Sequence, residues 1–195
     1  MVKIRNKFFY ILSISMGFVV VLSNYLVQFP VNYFNLEEII TYGAFSYPVA
    51  FLITDLSNRQ YGKEVARKIV YIGFFIGVFL SFYFSTNFSE LISIRIAFGS
   101  GTAFLVAQLI DVNIFDKLRK KVWYVAPFLS SLLGSIIDTF LFFSIAFYAT
   151  GINWITLAFG DLFVKILVAI IMLIPFRLLL SYINNDSAEE KKFSV

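Results

Sequence analysis

Six apolar stretches alternate with short polar connections along the 195 residues of the chain. Each is close to the ~20 residues a helix needs to cross a bilayer. Breaks at Pro30, Asn87, Pro127 and Gly151 help to place the spans, which are expected at 8–28, 38–55, 68–86, 96–115, 125–149 and 155–180. Inside spans four and five polar groups recur at helical spacing. Ser100, Phe104, Gln108, Asp111 and Phe115 share one face of span four, and Ser131, Ser135, Asp138 and Phe142 share one face of span five. Such faces, polar and aromatic together, are what a lined cavity requires. The segment QLIDVNIF at 108–115 is echoed by SIIDTFLF at 135–142, on helices expected to run in opposite directions. Eight residues are too few to establish an inverted repeat, but the two segments suit a shared central site.

Composition fixes the solvent. Hydrophobic residues make up 59% of the chain and charged ones 14%, against about 25% charged in a soluble domain. The expected fold is therefore all-α: a polytopic membrane protein of six transmembrane helices, with one domain over 1–183 and a polar, disordered cytoplasmic tail over 184–195. The net charge of +4 does not form a nucleic-acid patch, because the basic residues fall in separate segments. Lys3, Arg5 and Lys7 precede span one; Arg59, Lys63, Arg67 and Lys68 follow span two; Lys117, Arg119, Lys120 and Lys121 follow span four; Arg177, Lys191 and Lys192 close the chain. The alternate connections hold Glu37 and Glu38, then Glu90 with Arg95, then no charge, which places both termini in the cytoplasm. The first apolar stretch is too long for a signal peptide and lacks a cleavage site, so it reads as span one.

The chain has no cysteine and no histidine, which excludes thiolate zinc sites, histidine-ligated haem, cysteine nucleophiles, Ser/His/Asp triads and disulfides. It also has no GxxxxGK[ST] loop, and no cofactor or metal is expected.

Topology leaves Asp111, Asp138, Asp161 and Lys165 unexplained, with Asp55 at the rim of span two. A charge at a helix centre costs about 2.5 to 3.5 kcal/mol, so these groups should face the bundle interior. A rise of about 1.5 Å per residue puts Asp138 and Lys165 near the midplane, Asp111 in the cytoplasmic third and Asp161 in the outer third. Plainer roles compete. Asp161 and Lys165 are spaced for an intrahelical ion pair, and Asp111 is placed either to line the cavity or to pair at the rim with Lys117 or Arg119. Asp138 has no partner at helical spacing on its own span, which favours a binding role. Asn24 and Gln108 are placed for interhelical hydrogen bonds, and Gly99, Gly101 and Gly134 for close helix packing.

The stretches GAFSYPVAFLITDLSNRQYGKEVARK, RIAFGSGTAFLVAQLIDVNIFDKLR, PFLSSLLGSIIDTFLFFSIAF and FGDLFVKILVAIIMLIPF together resemble the queuosine precursor transporter family, also called the vitamin uptake transporter family. The resemblance runs from about Asn24 to Pro175. It implies uptake of 7-deazaguanine bases, such as preQ0 or preQ1, across the bacterial inner membrane. Many members carry an arginine shortly before the span-five Asp motif; this chain has APFLSS there, a departure that marks a subgroup with a different ligand preference.

For such a base the substrate-binding set is Asp138, Gln108, Asp111, Asn24, Lys165, Phe104 and Phe142. Asp138 would accept the adjacent N–H donors of the base, Gln108 and Asn24 would meet its carbonyl and ring-nitrogen edges, and Phe104 or Phe142 would stack on its face. Asp111 would balance the charge of an aminomethyl form. Asp55, Asn58, Tyr61 and Gly62 are expected to form a cytoplasmic gate, with Asp161 in a gating or coupling role. Expected partners are the base, membrane lipid, a second copy of the chain, and an energising ATPase module if the chain is a substrate-binding subunit of an energy-coupling factor transporter. An intramembrane aspartyl protease is a weaker alternative, because AFGD at 158–161 lacks the first glycine of GxGD. A purely structural membrane protein is another.

Overall fold

The computed structural model describes residues 6–33, 39–85 and 90–193. Glu37, Glu38, Lys3, Arg5 and the side chains of Lys7, Lys191 and Lys192, used to orient the chain, and Asn87, used as a break between spans, lie outside the described set. Six helices follow one another: α1 (Asn6–Leu26), α2 (Gly43–Tyr61), α3 (Lys63–Ser85), α4 (Leu91–Leu118), α5 (Val125–Phe147) and α6 (Trp154–Phe193). The loop before α2 is pinned by an antiparallel bridge between Pro30 and Thr41.

The helices turn large apolar residues outward, among them Phe18 on α1, Phe75 and Phe79 on α3, and Phe159, Phe163 and Ile174 on α6. Bands of that kind are stable against lipid and not against water. Among the described residues, four helices are long and apolar enough to cross a membrane: α1 over Phe8–Leu26, α4, α5, and α6 over Trp154–Ser181. The chain is an all-α membrane protein.

Helix α2 is the centre of the bundle and packs against every other helix. Its sequence explains why: Tyr47, Thr54, Asp55, Ser57 and Asn58 are all buried, so its polar groups meet protein on each side. The 38–55 expectation is therefore corrected. The helix starts at Gly43 and runs on to Tyr61, so Asp55, read as a rim residue, is 2% exposed inside the bundle. Polar residues were taken as the end of an apolar span; partners on α4 and α5 keep them inside instead.

Gly62 stops α2. Its φ of +85° is left-handed and favours glycine, and its N–H closes the last turn on the Asn58 carbonyl at 2.9 Å. Helix α3 starts at the next residue, five positions before the expected 68. Helix α1 approaches α3 closely where Gly73 and Gly77 face Met16 and Val20, since a β-carbon at either glycine would collide. Pro127 sits in the first turn of α5, where a proline costs no helical hydrogen bond. Helix α6 continues through 184–193, the region expected as a polar tail; its Ala188, Glu189, Glu190, Lys191 and Lys192 are good helix formers.

Candidate functional site

Two polar centres lie inside the bundle, one built around Lys165 and one around Asp111. Lys165 projects from α6, four residues after Asp161, so that both point to one face. Its ammonium stands 2.6 Å from Asp161 Oδ2, 2.9 Å from Asp138 Oδ2 of α5 and 3.1 Å from Thr139 Oγ1. Thr139 in turn donates to Asp161 Oδ2 at 2.8 Å. The three donors of the ammonium are thus all placed, and its remaining side faces the Tyr47 ring of α2, 4.9 Å from the centroid. Asp138, Asp161 and Lys165 are each 3% exposed or less, so this ion cluster is held out of water. Tyr47 links the cluster to α1 and α4, because its hydroxyl donates to Asn24 Oδ1 at 2.8 Å and lies 2.7 Å from Ser100 Oγ. Ser100 also bonds Asn24.

The second centre lies one to two turns away, toward the end where α2 turns into α3. Thr54 of α2 bonds Gln108 of α4, which bridges the two centres. Asp111, one turn beyond Gln108, faces Asp55 across the α2–α4 crossing. Asp55 accepts from Ser130 and Ser131 of α5 at 3.1 and 3.2 Å. Asp111 is fully buried, and neither of its oxygens finds a hydrogen-bond donor among the described residues. A cleft of about 10 Å³, room for about one water, opens beside Asp55 and Ser131 between α2, α5 and α6.

Among the described residues, contacts brace both ends of this polar column. At the α2–α3 end, Asn58 Nδ2 donates to the Val112 carbonyl at 2.9 Å. Two arginines exchange backbone contacts there: Arg59 Nη1 donates to the Arg119 carbonyl at 2.6 Å, and Arg119 Nη2 donates to the carbonyls of Asn58 and Arg59 at 2.6 and 3.1 Å. At the opposite end Gly160 lies against the Ile39 carbonyl so closely that a side chain would not fit, which sets Ile39 on α6 beside Asp161.

The sequence-derived residues mostly converge, with corrections. Asp138, without a partner on its own span, meets Lys165 on the next helix, and Asp161 forms with Lys165 the intrahelical ion pair that their spacing allows. Asp111 pairs with neither Lys117 nor Arg119; Arg119 is held by Asp116 at 3.3 Å and by the α2 carbonyls. Arg59, read as an orienting charge, is a structural strap. Phe104 and Phe142, the alternatives for stacking on a base, lie in different clusters: Phe104 shares one with Met16 and Tyr47, whereas Phe142 meets Phe143 edge-on at 5.0 Å in the other. Tyr61 packs against Phe8 of α1, away from Asp55. Gly134 packs against Phe51, as expected for a close helix contact. Sequence reasoning missed Tyr47, Thr54, Thr139 and Ser130. A signal existed for two of them, since Tyr47, Thr54 and Asn58 recur at steps of seven and four on α2.

A family model described as "Putative vitamin uptake transporter" matches residues 41–180. A "Probable queuosine precursor transporter" from Haemophilus influenzae is 37% identical over 189 residues, covering 81% of this chain and 80% of that protein. The "Queuosine precursor transporter" of Escherichia coli is 34% identical over 190 residues, covering 88% and 85%. A "Probable queuosine precursor transporter" of Bacillus subtilis is 28% identical over 186 residues, covering 83% and 80%. No solved structure matches the chain.

Proposed function

We propose that this chain, which belongs to the vitamin uptake transporter family, imports a 7-deazaguanine precursor of queuosine through its polar interior. The observation that carries the reading is the buried Lys165 cluster, whose hydrogen bonds a planar base can exchange when one end of the bundle opens. A deazaguanine offers adjacent N–H donors that can take over the Asp138 carboxylate from Lys165, while Asp161 and Thr139 keep the ammonium placed. Tyr47 lies against the same ammonium, so its ring is positioned to meet the face of a base entering there. Asn24, Ser100 and Gln108 supply further polar groups along the column.

The braced ends fit alternating access, in which one end opens at a time. The Arg59–Arg119 strap with Asn58 and Gly62 is the inner gate in this reading, and the contact of Ile39 with Gly160 the outer one. The chain spans the bacterial inner membrane six times with both termini inside, α2 crossing as a polar central helix. Expression in a bacterium that can neither make nor import queuosine precursors, supplied with each base in turn, tests the function. Queuosine should reappear in its tRNA; failure with every base despite stable membrane expression contradicts the reading. Uptake by the purified chain in liposomes separates a self-sufficient transporter from a subunit that needs an ATPase.

A further inference from the structure

Asp111 is in a position that its counterpart Asp138 is not. It is fully buried, faces a second carboxylate in Asp55, and receives no hydrogen bond among the described residues. Ser130 reaches toward both aspartates, but it carries a single hydroxyl hydrogen, and the oxygen it approaches at 3.1 Å is Oδ1 of Asp55. Asn58 adds an independent sign. One turn beyond Asp55 on α2, it anchors Nδ2 on the carbonyl next after Asp111, while its buried Oδ1 also lacks a donor. Two acceptor groups without a donor, from α4 and α2, therefore lie at one helix crossing, and the cleft with room for about one water reaches that crossing through Asp55 alone.

The charges facing this crossing are few. Helix α2 brings Asp55 and Arg59, α4 brings Asp111, α5 brings the neutral Ser130 and Ser131, and α6 faces the cleft with Ala169, Met172, Leu173 and Phe176. The Arg59 guanidinium is engaged with the carbonyls of Arg119 and Trp123. Arg119 at the end of α4 also reaches this end, where Asp116 offsets its charge, so among the described residues Arg59, whose Nε has no hydrogen-bond partner, is left as the cation facing the two carboxylates, a deficit of one positive charge. Buried anions in that state need a cation or a proton.

We propose that Asp111 and Asp55, with Asn58 Oδ1, form the binding site for one monovalent coupling cation, a proton or a sodium ion, whose inward flow drives uptake. The donor set is oxygen throughout, which suits either a proton shared between carboxyls or a hard cation. Bound there, the cation supplies what Asp111 lacks: a proton on Asp111 donates to Asp55 or to Asn58 Oδ1, and a sodium ion bridges the same oxygens. The site sits directly behind the Arg59–Arg119 strap, so its charge state bears on the closure that Asn58 and Arg59 hold. The proposal rests on the transport reading above.

The test uses the purified chain in liposomes with 7-cyano-7-deazaguanine, a neutral base, as the probe. A pH gradient, a sodium gradient or neither is imposed. One cation per base supports about 50-fold accumulation per 100 mV of driving force, so one of the two gradients should raise the internal base far above the external level. Asp111→Asn should bring accumulation down to simple equilibration while labelled base still exchanges across the membrane. Gradient-driven accumulation that survives Asp111→Asn overturns the proposal, as does wild-type uptake that ignores both gradients while base still equilibrates. No movement of base by the wild type under any gradient removes the transport reading and this proposal with it. Should Asp111→Asn fail to fold, melting of the wild type without base decides. A melting temperature raised by sodium and not by potassium identifies sodium, one that moves with pH alone identifies the proton, and one indifferent to both overturns the site.

Discussion

Asp138 and Asp111 occupy matching places in the echoed segments SIIDTFLF and QLIDVNIF, at nearly equal burial, yet their surroundings are opposite. Asp138 meets a lysine whose three donors are all placed, and Thr139 completes a closed network around it. Asp111 meets another aspartate, and the nearest donor, the Ser130 hydroxyl, is shared with Asp55. A buried carboxylate inside a complete network resists removal of its partner, whereas one without donors is itself the source of strain. The same local pattern thus takes part in a fully paired ion cluster on α5 and α6 and in a pair of facing carboxylates on α2 and α4. The difference comes from the facing helix and not from the segment.

That contrast can be broken most severely at Lys165. Lys165→Met leaves Asp138 and Asp161 buried without their cation, and should cost about 3–5 kcal/mol of stability and abolish uptake, read by thermal unfolding in detergent and by transport. Neutralising the two aspartates sharpens the comparison because the signs should differ. Asp138→Asn should destabilise by about 1–3 kcal/mol, since it removes a charge-assisted hydrogen bond. Asp111→Asn should leave the melting temperature of the cation-free protein unchanged or raise it, since it removes an uncompensated charge. Equal losses for both would show that the two centres are alike. The smallest expected effect is at the strap: Arg119→Ala should cost about 1–2 kcal/mol and increase the accessibility of a cysteine placed at position 58 to a cytoplasmic thiol reagent. Unaltered labelling would remove Arg119 from the gate.

The apolar spacing located all six helices, and phasing placed Gln108, Asp111, Ser135 and Asp138 on inward faces, because burial leaves a 3.6-residue imprint on a single helix. Partner choice leaves no such imprint. The hydroxyl of Tyr47 meets Asn24 and Ser100, 23 and 53 residues away, and in an apolar stretch the residue reads as core packing. Asp55 looked like a rim residue because the polar run at 54–60 resembles a helix end; its burial depends on Ser130 and Ser131, more than 70 residues later. Arg59 and Lys63 have the same sign and similar positions, yet Arg59 crosses to Arg119 while nothing in its own segment marks it for that contact.

The central claim is that Asp138 receives the base. It is tested most directly by measuring queuosine in the tRNA of a precursor-deficient, import-deficient bacterium carrying either this chain or its Asp138→Asn variant at equal membrane level, with the base supplied outside. The wild type should restore the modification and the variant should not. Full restoration by Asp138→Asn would contradict the account.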